Sequence, residues 1–286
     1  MKTINLINVN ESDVMYELTT FPDGEPHIKL DNIDRKDSYN IVCRITNPIE
    51  LFILMQVGNI LKRQSVIFNI KIAYLMSMRM DRVINFNEAF SLEIVADMIN
   101  SLYADNVYIF ECHSERAFKL INNSNPIDFV TYDFEYNKFN HMIKAYNKDE
   151  DDKNIIICYP DHGAKDRYKV SIENPNPYIC MNKVRDLDNK GIIKSITIDN
   201  DYILPDNSII YIIDDLCDGG GTFCWSYNVL AEKYPDIPIR LFVKHMVNPA
   251  GLEKVSNLFD RVYITNSYKE WEEYTISDNV KVFKVV

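Results

Sequence analysis

Glycine is scarce in this chain, at 8 of 286 residues. That excludes loose glycine-rich linkers, and any glycine cluster must answer a local demand of the backbone. Basic residues are outnumbered, with 31 Lys and Arg against 42 Asp and Glu and a net charge of −11. A basic face of the kind nucleic acid requires is therefore not expected. The six cysteines form no CxxC pair and no zinc-ligand spacing. Cys43, Cys158 and Cys180 lie in apolar, strand-like runs and read as reduced, buried thiols. No apolar run approaches the length of a membrane span, and the opening MKTINLINVN is too polar for a signal peptide. A cytoplasmic protein is expected, with no membrane partner. The 47% hydrophobic fraction is ample for buried cores.

Three of the eight glycines stand together, in Ile209–Thr222, IIYIIDDLCDGGGT. Five apolar residues in a row suit a strand buried on both faces of a parallel sheet. The strand is expected to end at Asp214 and Asp215. The loop Asp218–Thr222 follows, and then a helix over Phe223–Tyr234. Strand, glycine loop and helix together aim backbone N–H groups at a phosphate. The loop lacks the lysine of a P-loop and the spacing of a GxGxxG dinucleotide turn. Carboxylates before a phosphate cradle suit a sugar phosphate, whose hydroxyls they bind directly or through Mg²⁺. The plain alternative is a tight turn with a solvated acidic edge. Two adjacent carboxylates at a buried strand end make that costly without a partner.

Elsewhere strands and helices alternate, as parallel βαβ units do. Strands are expected at Asn40–Ile45, Phe68–Leu75 and Asn106–Glu111, with helices over Ile49–Arg63 and Phe90–Tyr103. A second series of strands covers Asn154–Tyr159, Tyr178–Met181, Ser208–Ile213, Ile239–Val243 and Arg261–Thr265. Between the series, Tyr132–Asp152 reads as a connecting helix and a solvated loop. The fold class is α/β, with tandem domains at 1–142 and 143–286, each a mainly parallel sheet flanked by helices.

Five short segments stand out beyond the glycine loop. Phe21–Glu25 reads FPDGE, which alone is only a turn signal. Arg79–Arg82 reads RMDR after a strand, two arginines and an aspartate that bind a polyphosphate or are simply solvated. Phe110–Ser114 reads FECHS, and its His113 alone would more often be structural than a ligand. Tyr159–Arg167 reads YPDHGAKDR. Asn182–Arg185 reads NKVR, in what reads as a mobile polar loop with Gly191.

Taken in order, these segments and DDLCDGGGT resemble the ribose-phosphate diphosphokinase family of the phosphoribosyltransferase fold, from about Phe21 to Thr265. That family transfers the diphosphoryl group of ATP to ribose 5-phosphate. The resemblance implies ATP binding by Phe21, Asp23, Glu25 and Arg79, with the adenine loop reaching a neighbouring subunit of a homo-oligomer. It implies Mg²⁺ held by His113 and Asp161, and catalysis by Lys183 and Arg185. It gives the sugar phosphate to Asp214, Asp215, Asp218, Gly219, Gly220, Gly221 and Thr222. There are departures. Met80 replaces a glutamine, Gly219 replaces a threonine, and no final helix follows VKVFKVV.

The chemistry so implied is attack of the anomeric hydroxyl on the β-phosphorus of ATP, with AMP leaving. It needs positioning and charge neutralisation more than covalent help. Competing readings are the same transfer to ADP-ribose, a phosphoribosyltransferase, and a non-catalytic regulatory homologue. A phosphoribosyltransferase has no need of FPDGE, FECHS or NKVR. Gly219 withdraws a hydroxyl and leaves room for a phosphodiester, which is what favours ADP-ribose.

Overall fold

The computed structural model describes residues 1–127, 153–168, 178–186, 192–199, 202–272 and 274–285. The chain divides into two compact units, Met1–Asp128 together with Val285–Val286, and Phe129–Lys284. The expected connecting helix and loop of 132–152, and the polar stretch around Gly191, lie outside the described residues.

The first unit is built on five parallel strands, β1 (Lys2–Asn5), β4 (Ser38–Ile45), β5 (Ile67–Leu75), β6 (Asn106–Phe110) and β7 (Ser124–Ile127), adjacent in that order. Strands β2 (Tyr16–Thr20) and β3 (Pro26–Leu30) form a separate antiparallel hairpin. Helix α1 (Pro48–Gln64) begins as its sequence dictates. Asn47 caps the amides of Ile49 and Glu50, and Pro48 takes the first turn, where no N–H is needed. Gln56 of α1 bonds the backbone of Pro26 and Ile28 in both directions, at 2.6 and 2.9 Å, and so ties the hairpin to the helix. Helices α2 (Ser91–Asn100) and α3 (Arg116–Leu120) complete the unit. Its core runs through Ile41, Cys43, Leu54, Leu61, Ile70 and Ile109.

The second unit carries strands β8 (Asn154–Tyr159), β9 (Ile179–Asp186), β10 (Ile192–Ile198), β11 (Ser208–Cys217), β12 (Ile239–Met246), β13 (Val262–Thr265) and β14 (Val280–Phe283). Their order is β10-β9-β8-β11-β12-β13-β14, parallel throughout except for β10 against β9. The continuous apolar run of β11 is explained by burial on both sides. Ile210 and Ile212 enter one core, and Ile209, Tyr211 and Ile213 enter another on the opposite face. Among the described residues its helices are α4 (His162–Tyr168), α5 (Gly221–Lys233) and α6 (Pro249–Ser256). Asn248 caps α6 and Pro249 opens it. Among the described residues no helix is long and apolar enough to cross a membrane.

Two expectations are corrected here. Strand β11 does not stop at the acids but continues to Cys217, so Asp214 and Asp215 lie within it. The neighbouring β8 is what stops, at Tyr159 before Pro160, which has no N–H to extend a ladder. Beyond Ile212, β11 pairs only with β12, and its other edge is open at the acids. Asn182–Arg185 is not a loop. It lies in β9, which pairs with β8 only at Ile179 and Cys180 and then runs on against β10 as a two-stranded arm. The alternation of Met181 and Lys183 with Asn182 and Val184 is a strand period that the polar composition obscures.

Candidate active site

In the second unit the open edge of β11 faces the connection from β8 into α4. Arg167, on the last turn of α4, reaches across to Asp215 Oδ1 at 2.5 Å and Asp214 Oδ1 at 3.6 Å. Asp215 is almost fully buried, so this guanidinium supplies the partner that the buried acids require. Burial pushes the Asp214 carboxyl well above the usual carboxylate range. The adjoining Asp215 and Asp161 push the same way, and Arg167 opposes them. Burial disfavours the charge on Arg167 too, but Asp215 and Asp214 more than offset it and hold the guanidinium ionised.

Asp161 sits at the start of α4. Its Oδ1 accepts the Ala164 amide at 2.9 Å, and its Oδ2 is paired with the Lys183 ammonium from β9. Burial would raise this carboxyl; Lys183, the Ala164 amide and Arg167 together hold it below the usual range. Lys183, Asp161, Arg167 and Asp215 thus follow one another with alternating sign, and Asp214, whose charged form burial disfavours, lies beside Asp215. Arg185 lies two residues along β9 from Lys183, opposite Ile193 of β10.

The glycine loop follows directly. Gly220 adopts φ +72°, the left-handed conformation, and no side chain caps the 13-residue helix α5 that it opens. Unsatisfied amides at such a helix start suit an anion. A Cβ at Gly220 would press on Val255 at 3.0 Å and on the Gly251 carbonyl at 3.2 Å; one at Gly219 or Gly221 would meet nothing within 4 Å. Gly251 itself was not expected to matter. A Cβ there would fall 1.7 Å from the Asp218 carbonyl oxygen, so helix α6 lies flush against the loop only because residue 251 is glycine. Asn248, the cap of α6, also donates to Asp218 Oδ1 at 3.4 Å.

The first unit assembles its own cluster. FPDGE is the turn of the β2–β3 hairpin. It is closed by bonds from Phe21 N–H to Glu25 C=O at 2.9 Å and from Gly24 N–H to Phe21 C=O at 2.8 Å. Gly24 takes φ +92° there, and Phe21 is half exposed. Arg79 and His113 occupy the loops that leave the adjacent strands β5 and β6. Asp81 joins those loops. It accepts Arg82 at 2.8 and 3.1 Å and the Ser114 hydroxyl at 2.6 Å, while Arg116 donates to its carbonyl at 3.1 Å. Arg82 first, with Ser114 and Arg116 behind it, overcomes the effect of burial and lowers the Asp81 carboxyl to about 2. The RMDR aspartate is therefore a buried brace, not a solvated charge.

Sequence reasoning missed Arg167, Gly251 and Asp81 as parts of these sites. Gly251 carried only its rarity.

No protein-family model matches the chain. It is 26% identical over 272 residues to a ribose-phosphate pyrophosphokinase of Pyrococcus abyssi, an alignment covering 92% of this chain and 85% of that one. A ribose-phosphate pyrophosphokinase of Helicobacter hepaticus is 23% identical, over 89% of this chain and 81% of its own. The fold superposes on the crystal structure of phosphoribosylpyrophosphate synthetase from Mycobacterium smegmatis with a TM-score of 0.76. That match covers 97% of this chain and 88% of that one at 17% identity.

Proposed function

On its similarity to ribose-phosphate pyrophosphokinases along most of its length, we propose that this chain is a transferase that moves the β,γ-diphosphoryl group of ATP to the 1-hydroxyl of ribose 5-phosphate and releases AMP. The observation that carries the reading is the run of alternating charge from Lys183 to Asp215, beside an uncapped helix start.

Each residue then has a duty. Asp214 and Asp215 accept the ribose hydroxyls, with Arg167 pairing with Asp215 and orienting it. Amides of residues 219–222 and the Thr222 hydroxyl hold the 5-phosphate, and Asp218 flanks them. Lys183 exchanges its partner Asp161 for the transferring phosphoryl oxygens and offsets the charge that develops there. By resemblance Arg185 does the same from two residues along β9. Phe21, Asp23 and Glu25 hold adenine, and Arg79 the ATP phosphates. Asp161 fits a hard cation, being an anionic oxygen donor held below the usual carboxylate range. His113 has the same duty by resemblance, and Mg²⁺ so held would neutralise ATP oxygens.

The test is AMP release from ATP with ribose 5-phosphate, with ADP-ribose as a second acceptor. Turnover with ribose 5-phosphate is expected. Lys183→Ala and Arg185→Ala should fold normally and lose about 10³-fold or more in kcat. Wild-type turnover in both would remove the catalytic assignment and favour a regulatory homologue. AMP from ADP-ribose but not from ribose 5-phosphate would change the acceptor and keep the chemistry.

A further inference from the structure

His162, Cys180 and Asp199 come together from three elements of the second unit, and the reaction uses none of them. His162 opens α4, Cys180 lies in β9, and Asp199 follows β10. The Asp199 N–H donates to the Cys180 carbonyl at 2.9 Å, which sets the acid beside the cysteine. Cys180 Sγ lies 3.8 Å from His162 Nδ1, and Asp199 Oδ2 lies 3.4 Å from His162 Nε2. One ligand atom from each residue falls within 4.8 Å of the others.

We propose that His162, Cys180 and Asp199 form a site for a borderline transition-metal dication of the zinc class, separate from the hard-cation position at Asp161. Sulfur, imidazole nitrogen and one carboxylate oxygen are the donors such an ion selects over Mg²⁺. In a tetrahedral zinc site, bond lengths of about 2.3 Å to sulfur and 2.0–2.1 Å to nitrogen or oxygen put donor atoms roughly 3.3–3.6 Å apart. One ion takes a single ring nitrogen, and with one atom from each residue the three donors lie within 4.8 Å of one another, so they need to close by roughly 1 Å on the ion. At present the thiol faces one ring nitrogen and the carboxylate the other. His162 and Asp199 side chains are 53% and 44% exposed, so both can turn toward one point above the buried sulfur. A dication would be bound by the thiolate, with release of the thiol proton. The remaining coordination position is left to water. A metal here would cross-link the start of α4 to β9 and β10, the arm that carries Lys183.

Cobalt(II) titration of the reduced full-length protein tests the site. One equivalent should produce a near-ultraviolet sulfur-to-cobalt charge-transfer band, which Zn²⁺ displaces and Mg²⁺ does not. Cys180→Ser should abolish the band. His162→Ala and Asp199→Asn should each weaken binding about 10-fold or more. These two positions are exposed and decide the matter if Cys180→Ser fails to fold. No band at one equivalent would overturn the site. So would a band that survives Cys180→Ser, which would move the thiolate to Cys112 or Cys224. Selective alkylation of Cys180 that His162→Ala slows, with no metal bound, would also overturn it in favour of a thiol–imidazole pair. None of these readouts depends on AMP release, so this site and the proposed reaction fail separately.

Discussion

At the scale of single residues, the chain holds its charges in pairs whose removal has calculable consequences. Arg167 is the counter-charge to a nearly buried Asp215. Arg167→Ala removes the charged partner of that carboxylate and should destabilise the protein by about 3 kcal/mol, read as a lower midpoint in urea. Both contacts come from the single nitrogen Nη1, so Arg167→Lys should recover part of this through charge, without the planar guanidinium's other donors. Equal midpoints for wild type and Arg167→Ala would show that Asp215 has another adequate partner. Asp81 makes a pH-dependent contribution. Its folded value is about 2, against an ordinary value of 3.8, so the unfolded chain takes up the proton first. The stability it supplies is complete above about pH 4 and is lost as pH falls through about 2. Asp81→Asn should flatten that part of the acid-unfolding curve, and an unchanged curve would refute the brace. Of these residues, the acids at 214 and 215 were legible from sequence, because paired carboxylates after an apolar strand are costly. Arg167 was not, since nothing in a linear string says which helix faces which strand edge.

At the scale of elements, the glycine loop is shaped from both sides. Its own Gly220 turns left-handed, and Gly251 of α6 lets the next helix come down on it. Gly251→Ala should cost about 1–3 kcal/mol through overpacking and weaken acceptor binding in calorimetry. Gly219→Thr should leave stability within about 0.5 kcal/mol, because that position is open. The reverse order of effects would mean that the loop, not the helix packing, is the strained part. Strand β11 and helix α5 were legible by period and by glycine punctuation. The arm of β9 and β10 was not, because its polar residues mimic a loop. Only the pairing of Lys183 with Ile196, and of Arg185 with Ile193, makes it a strand.

At the scale of the whole molecule, the hairpin tip exposes Phe21, with Leu18 also half exposed on β2. An oligomer is expected, with this hairpin at a subunit boundary. Light scattering should show more than a monomer, and Phe21→Ala should raise the KM for ATP. A fully active monomer would remove the expectation. What the sequence determined by itself was the class of fold and the order of its motifs. Hydrophobic period, glycine scarcity and carboxylate pairs are local, and local chemistry forms strands, turns and helix starts before any distant contact exists. What only the tertiary structure decided was the partnering: Arg167 with Asp215, Lys183 with Asp161, Gly251 under Asp218, and a histidine, a cysteine and an aspartate that share no metal-ligand spacing in the chain. The physical reason is that each pairing joins different elements. Its distance is set by sheet order and by where β8 ends, and neither is written in the spacing of the residues themselves.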